Sequence, residues 1–458
     1  MRPVRLHPLH FTKYVKYIIV ICVLPVIQAI LSFELSAAWV ALLQELAILL
    51  ACAGILATMR RASAVELAGG VLTVRSGVLF RRSCRFPLAQ VSAVELRRSL
   101  LCRLLGGAVL TVYFRAGSNL RSLKLTLPVR AARQFSRRLV PDTAAASAFA
   151  PVGAERLIFM LLSANMIATA FFSVVAARRV FSLLGEDFRI IAIDGFLQIE
   201  HLLTAFLPAS LSLLAALGLL FFALSLLSSL LRTYRFTAAR SGGVLVSRGG
   251  LVTHTERRVF VDAITAGCLR ITPAARLLRC CPLYLSAGCF RGEDLPVFTL
   301  SKKSAPQLQR LLPEFCPPEQ PLCNPRRKSL AQYLWKPGSL LALLCALGTV
   351  SLRVLPSVAP VLWLLALLAL GALLCNLEGV FREGFCRNSN RTLSVSYCRG
   401  FTRYLVSVCT DELSLRITRF PTAASAGRCD LRICTPSRRV YHLRGVEFFR
   451  AKALEFNL

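Results

Sequence analysis

Six stretches of this chain are apolar over a length that can cross the roughly 30 Å hydrocarbon core of a bilayer, a crossing that takes about 20 helical residues. They lie near residues 14 to 33, 38 to 59, 155 to 177, 202 to 231, 338 to 355 and 358 to 377. They come in pairs, and a polar region follows each pair, at about 60 to 150, 232 to 335 and 378 to 458. Arg353 and Pro356 shorten the fifth stretch, so the third pair reads as a tight or partly re-entrant hairpin. The division expected is a hairpin in each of 1–61, 151–232 and 321–378, alternating with polar domains at 62–150, 233–320 and 379–458. The 321–378 segment opens with a basic linker, and the last domain is diverged.

Composition agrees with membrane segments: 55% of the 458 residues are hydrophobic, against roughly 45–50% in soluble domains. The N-terminus, Met1 to Lys16, is basic and leads into an apolar run, as a signal peptide would. That run, Tyr17 to Phe33, exceeds an h-region of about 7 to 15 residues and a second apolar stretch follows at once, so a retained helix is expected.

The formal charge is +33, and it is distributed along the chain. Only eight of the 56 basic residues are lysine, and the arginines form neither a block nor an aromatic-interleaved motif, which argues against a nucleic-acid partner. Basic residues instead flank the apolar stretches on one side. Arg2, Arg5, Lys13 and Lys16 precede the first; Arg60 and Arg61 follow the second; Arg232 and Arg235 follow the fourth; Arg326, Arg327, Lys328 and Lys336 precede the fifth. The opposite loops are short, except 179 to 200, which carries Glu186, Asp187, Asp194 and Glu200 beside its arginines. Lys and Arg are retained on the cytoplasmic side. A multi-pass protein of the cell membrane is expected, with both termini and all three polar domains cytoplasmic.

The polar regions repeat. A constant offset of 173 residues lays Gly69-Gly70-Val71-Leu72 on Gly242-Gly243-Val244-Leu245, Arg75 on Arg248, Gly77 on Gly250, Arg97 on Arg270 and Arg103-Leu104 on Arg276-Leu277. Each copy reads as strand, glycine turn, strand: Val71 to Arg75 and Val78 to Phe86, then Val244 to Arg248 and Leu251 to Val261. Further strands are expected at Val109 to Phe114, Ser122 to Leu127, Leu283 to Ala287 and Leu295 to Leu300, and closing helices at Val129 to Leu139 and Ala305 to Phe315. The third region repeats the order with Leu393 to Tyr397, Arg399-Gly400 and Phe401 to Val408. There Leu415-Arg416-Ile417-Thr418 echoes Leu269-Arg270-Ile271-Thr272, and Val446 to Phe456 supplies the helix.

The succession of Gly77, Phe86-Pro87-Leu88, Val91 and Arg103-Leu104-Leu105-Gly106 resembles the bacterial PH-like domain of membrane proteins of the YdbS/YdbT type. That resemblance implies helix pairs coupled to one to three such domains and a role linked in general terms to the cell envelope. The second copy departs from the pattern, with Phe260 where Pro87 aligns and Arg279-Cys280 in place of Gly106-Gly107, and the third lacks the Arg-Leu-apolar-Gly element. The fold class expected is therefore an α+β membrane protein, with three transmembrane hairpins alternating with three PH-like β-domains, each closed by a C-terminal helix.

No catalytic constellation is visible. His7, His10, His201, His254 and His442 are isolated and lack metal-ligand spacing. The 17 cysteines are spread through apolar and polar parts alike and read as reduced and structural. Cys280-Cys281 with Cys289, and Cys316 with Cys323, do not match paired CxxC motifs. No phosphate-binding glycine loop occurs, and neither cofactor nor metal is expected. Glu45, beside Gln44, is the acidic residue placed well inside an apolar stretch, where an ionised carboxylate costs several kcal/mol unless paired. Ser163, Asn165, Ser210 and Ser212 read as contacts between helices. Arg60, Arg61, Arg81, Arg82, Arg232, Arg235, Arg257 and Arg258 are the candidate contacts for anionic headgroups, each worth on the order of 1 kcal/mol near such a surface. The function expected is a non-enzymatic scaffold or interaction platform, with the bilayer and a membrane protein or a second copy as partners. The alternative is a lipid-binding or transport component that uses the hairpins as a path, with Gln44 and Glu45 as its polar site.

Overall fold

The structure, a computed structural model, describes residues 3–11, 47–48, 50–51, 53–78, 81–116, 119–141, 147–151, 153–163, 189–287, 295–300, 312–315, 330–389, 392–410, 413–419, 427–435 and 440–456. It is an α+β chain with several antiparallel sheets, and it divides into two units: Met1–Ala148 with Arg235–Ala263, and Phe149–Tyr234 with Ile264–Leu458.

The first unit begins with β1 (Val4–Arg5), which pairs with β2 (Ala64–Ala68). Strands β3 (Val71–Ser76) and β4 (Arg82–Pro87) continue this first sheet in the order β1-β2-β3-β4. Gly69 and Gly70 both have positive φ and join β2 to β3 in two residues, a geometry that matches strand twist and that L side chains resist. A 3-10 turn at Leu88–Gln90 leads to β5 (Val91–Arg98), and the short helix α1 (Leu100–Leu104) follows, its N-terminus capped by the Ser99 hydroxyl accepting from the Cys102 amide at 3.4 Å. Then come β6 (Gly107–Ala116), β7 (Asn119–Pro128), helix α2 (Val129–Leu139) and the short β8 (Ser147–Phe149).

Period-two alternation decides what this unit buries. Ala108, Leu110, Val112 and Phe114 of β6 face the core with Val94 and Leu96 of β5, Leu125 and Leu127 of β7, and Phe135 of α2. The N-terminal residues, read from the sequence only as a basic flank, also enter it: Leu6 and Phe11 are buried in the same cluster. His7 ties this segment down, its Nε2 lying 3.0 Å from the Leu105 carbonyl and its amide donating to the Thr126 carbonyl at 2.8 Å.

Strands β9 (Thr237–Ser241), β10 (Val244–Gly249) and β11 (His254–Phe260) complete the first unit. They join β5 edge to edge, with β11 antiparallel to β5, in the order β7-β6-β5-β11-β10-β9-β8. Val244 and Val246 thereby share a core with β5, β6 and β7. Strand β4 starts at Arg82 and β11 at His254, beyond the expected Val78 and Leu251. Gly77 and Gly250, with φ of 112° and 103°, lead into longer loops than a two-residue turn.

The second unit contains the matching arrangement one step along. β12 (Ile264–Ile271), helix α5 (Pro273–Leu277), β13 (Cys281–Ala287) and β14 (Leu295–Leu300) join β15 (Gly384–Ser389), β16 (Thr392–Arg399) and β17 (Thr402–Cys409) in the order β14-β13-β12-β17-β16-β15. A further sheet, β18 (Ser414–Thr418), β19 (Arg428–Cys434) and β20 (Val440–Glu447), is followed by helix α8 (Phe448–Phe456). The final helix thus starts at Phe448 and not at the expected Val446, because Tyr441, Leu443 and Val446 turn inward as strand residues. The expected helix from Ala305 lies outside the described residues up to 311, and Pro313–Phe315 form a 3-10 turn.

Among the described residues three helices, all in the second unit, are long and apolar enough to cross a membrane, at Leu211–Thr233, Leu334–Val354 and Ala359–Arg382, and at most 17% of each apolar window is buried against protein. Exposed apolar helices of this length need lipid rather than water around them. They belong to α4 (Ala209–Thr233), α6 (Leu330–Val354) and α7 (Ala359–Arg382); helix α3 (Ala154–Ser163) packs on α4 through the Ser229 hydroxyl, which donates to the Met160 carbonyl at 2.6 Å. Helices α6 and α7 pack closely, with Trp363 3.3 Å from where a Cβ on Gly348 would stand. The apolar stretch at 202 to 231 is not one helix: residues 189–204 are helical, and Pro208 caps a fresh start at Ala209. Asp194 and Glu200 therefore sit on a helix and not in a loop. Stretches 14 to 33 and 164 to 177, and half of 38 to 59, lie outside the described residues; 53–61 are helical.

Candidate functional site: the basic surface of the first unit

Strand register gathers several of the arginines. Ala64, Arg75 and Ser83 stand in one row across β2, β3 and β4. The helical residues 53–61 end just before β2, so Arg60 and Arg61 come to the same end of the sheet as Arg75, Arg81 and Arg82. All five are exposed. Acidic compensation is slight, a 3.9 Å ion pair between Arg75 and Glu66. This rim adjoins the helix that leads out of the second apolar stretch, and the register shows why residues so far apart in sequence share it. Arg232, in the last turn of α4, is also exposed and belongs to the second unit, while Arg235 is exposed and holds a positive φ of 50°.

Arg257 and Arg258 do something else, and their assignment as headgroup contacts is corrected. Arg257 stands directly opposite Glu95 across the β5–β11 joint and donates to it at 3.1 Å. Glu95 also accepts from the Tyr113 hydroxyl at 3.0 Å. Arg258 is 1% exposed, donates to Glu256 at 2.8 and 3.0 Å, and donates to the Val140 carbonyl at 3.2 Å. A guanidinium buried with its own carboxylate serves structure, because its charge is already compensated and out of reach of a ligand. Burial alone would raise the Glu256 pKa, but the bonds and charges of Arg258 and Arg248 outweigh it and hold the carboxyl below its usual range.

A second basic cluster is not apparent in the sequence. Arg98 ends β5 opposite His254, the first residue of β11. Arg103, on α1, donates to the Leu251 carbonyl at 3.0 Å, which brings it to the same hairpin. Arg133 projects from the exposed side of α2, whose other side buries Ala132, Phe135 and Leu139. Burial, followed by the charges of Arg133 and Arg103, depresses the Arg98 pKa, and its buried Nε has no hydrogen-bond partner. His254 is likewise pushed down by burial and by Arg98 and Arg103, against the opposing pull of its hydrogen bond with the Gly250 backbone and of Glu256. Three guanidiniums whose charges repel one another, one with a buried and unused Nε donor, thus share this hairpin. Arg97, Arg98 and Arg103 are visible in sequence, but Arg133 and His254 join them only through the packing of α2 and the β5–β11 pairing.

The second unit uses the corresponding residues differently. Arg276, in α5, pairs with Glu378 of α7, and Arg270 lies 4.1 Å over the Tyr284 ring. Among the described residues no group of three His, Cys, Asp or Glu side chains could hold a metal ion. Burial and then Glu383 push the Cys398 thiol up to about 12. His10 accepts from the Thr126 amide at 3.3 Å and so serves packing, as His7 does. The Ser163 hydroxyl is buried without a hydrogen-bond partner, and Ser229 makes the helix contact in its place. Gln44 and Glu45 lie outside the described residues.

Comparison with known proteins assigns one segment. Residues 19–141 match the family model of the bacterial PH domain, a segment that runs from the first apolar stretch to the end of α2. No curated protein and no solved structure matches the chain.

Proposed function

We propose that this chain is a non-enzymatic, membrane-anchored binding platform of the YdbS/YdbT type, with three PH-like units on the cytoplasmic side of the cell membrane. The observation that carries this reading is a bacterial PH domain continuous with an apolar stretch, in a chain with three further helices of spanning length. The order of elements supports the three units: β2, β3, β4, a 3-10 turn, β5, α1, β6 and β7 recur as β9, β10, β11, a 3-10 turn, β12, α5, β13 and β14. Strands β15 to β20 with α8 give the third. The domain found by family comparison then presents two arginine groups, the rim at Arg60, Arg61, Arg75, Arg81 and Arg82 and the cluster at Arg98, Arg103 and Arg133. The first suits the anionic leaflet beside the anchoring helices; the second suits a phosphate-bearing ligand or headgroup.

The test uses the full chain in neutral nanodiscs mixed with vesicles of phosphatidylcholine containing a minority of phosphatidylglycerol. Co-flotation that weakens with salt is expected. The variant R98Q/R103Q/R133Q should lower the apparent affinity on the order of 100-fold, from about 1 kcal/mol per arginine. Its thermal stability should hold or rise, because the change removes mutual repulsion. Binding unchanged in that variant refutes the role given to the cluster.

A further inference from the structure

The sheets of this chain are assembled from half-sheets, and two halves are left over. In the first unit the group β7-β6-β5 is joined to β11-β10-β9 through the β5·β11 edge. In the second unit the group β14-β13-β12 is joined to β17-β16-β15 through the β12·β17 edge. Each time the strand that follows the 3-10 turn in one copy pairs antiparallel with the third strand of the next copy. Applied once more, the rule leaves β20-β19-β18 and β4-β3-β2-β1 each without a joining group among the described residues. Those groups are the two remaining sheets, and β18 and β4 are their terminal strands among the described residues.

Exposure marks the missing neighbours. Ser414 of β18 is exposed, whereas the residues at the equivalent place, Glu95 of β5 and Cys268 of β12, are half-buried and buried. In β11 and β17 every residue is half-buried or buried, whereas Arg82, Ser83, Cys84 and Arg85 of β4 are all exposed. An open strand edge offers a row of backbone donors and acceptors to an added strand.

We propose that copies of this chain join head to tail, β18 of one copy adding antiparallel to β4 of the next. The proposal rests on the three-unit reading given under Proposed function. The internal joints also predict the register. Glu95 pairs with Arg257 and Cys268 with Val406. Carried to the equivalent positions, the first of these pairs places Ser414 opposite Cys84. In that register Arg82 stands opposite Arg416, a like-charge pair that salt screens, so the joint should strengthen as ionic strength rises. A contact between two different edges of the same molecule is heterologous, so it propagates into a filament or closes into a ring.

Cys84 is an exposed free thiol and supplies half of a cross-link. The full chain carrying Ser414→Cys, oxidised mildly in its membrane, should give a ladder of covalent dimers, trimers and larger species on a non-reducing gel. The ladder should vanish in S414C/C84S. A second variant, R97C/T255C, sits on a directly opposed pair of the β5·β11 joint and should give a disulfide-linked peptide within one chain. If that internal link forms while S414C remains monomeric, closes within a single chain, or still cross-links without Cys84, head-to-tail joining is refuted and the three-unit reading survives. If the internal link also fails, the three-unit reading itself falls.

Discussion

Replacing Glu256 by Gln should open the joint between β5 and β11. Glu256 Oε1 accepts from Arg258 Nη2 at 2.8 Å, from Arg258 Nε at 3.0 Å and from Arg248 Nη2 at 3.2 Å, so one oxygen neutralises a guanidinium that is 1% exposed. The amide retains an acceptor but no charge, and Arg258 keeps its bond to Val140. Breaking a buried pair from one side costs about 3–5 kcal/mol. The lower end applies here, because Glu256 is 12% exposed and Arg258 retains two acceptors. Converted at 1.4 kcal/mol per tenfold, about 3 kcal/mol lowers the protection of amides in β10 and β11 on the order of 100-fold. Hydrogen exchange of the full chain in detergent, followed by mass spectrometry of peptides from 244–260, measures it. A loss below about threefold would refute the view that Glu256 compensates a buried charge. The double change E256Q/R258M should recover much of the loss, since it leaves no buried charge without its partner. The pH dependence has a definite sign. The folded Glu256 carboxyl titrates below the ordinary glutamate value near 4.3, so its stabilisation is complete above that value and is lost as pH falls through the lower folded pKa.

Three further outcomes are expected. Arg279 holds φ of 51° at the place equivalent to Gly106, which holds 70°; R279G should therefore raise the protection of β12 and β13 by about 1 kcal/mol by hydrogen exchange, and a decrease would contradict the strain assigned to it. A Cβ at Gly371 would stand 2.9 Å from the Phe401 ring, so G371V should loosen the β16–β17 hairpin from α7 and speed exchange there, although replacing a helical glycine otherwise stabilises. S229A removes the bond from α4 to the Met160 carbonyl and should cost about 0.6–1.7 kcal/mol in detergent unfolding, with no effect on exchange in β5 or β11.

Local pattern was enough for much of this molecule. Helix Val129–Leu139 has the expected limits, and the strands around Val71, Val109, Ser122, Leu283, Leu295 and Leu393 lie where alternation and glycine turns put them. The motif Arg103-Leu104-Leu105-Gly106 proves to be the end of a capped short helix, with Leu104 83% exposed and Gly106 in the left-handed region. Strands Ala64–Ala68, Val91–Arg98 and Arg428–Cys434 carry no comparable local signal, because they mix polar and apolar residues, and Val91–Arg98 also takes a partner from the distant β11.

The site shows the same division. Arginine content and position relative to the apolar stretches are properties of chain order, and they single out Arg60, Arg61, Arg81 and Arg82 as candidates, all of them exposed. Whether an arginine faces solvent or a carboxylate depends on which strand lies beside it. The β4 residues equivalent to Arg257 and Arg258 are Cys84 and Arg85, and both are exposed, since β4 has no further strand at its side among the described residues whereas β11 has β5. Chain order alone therefore determined the elements and the placing of charge near apolar stretches. The tertiary structure decided which of those charges are buried, because burial depends on strand pairing between segments more than a hundred residues apart.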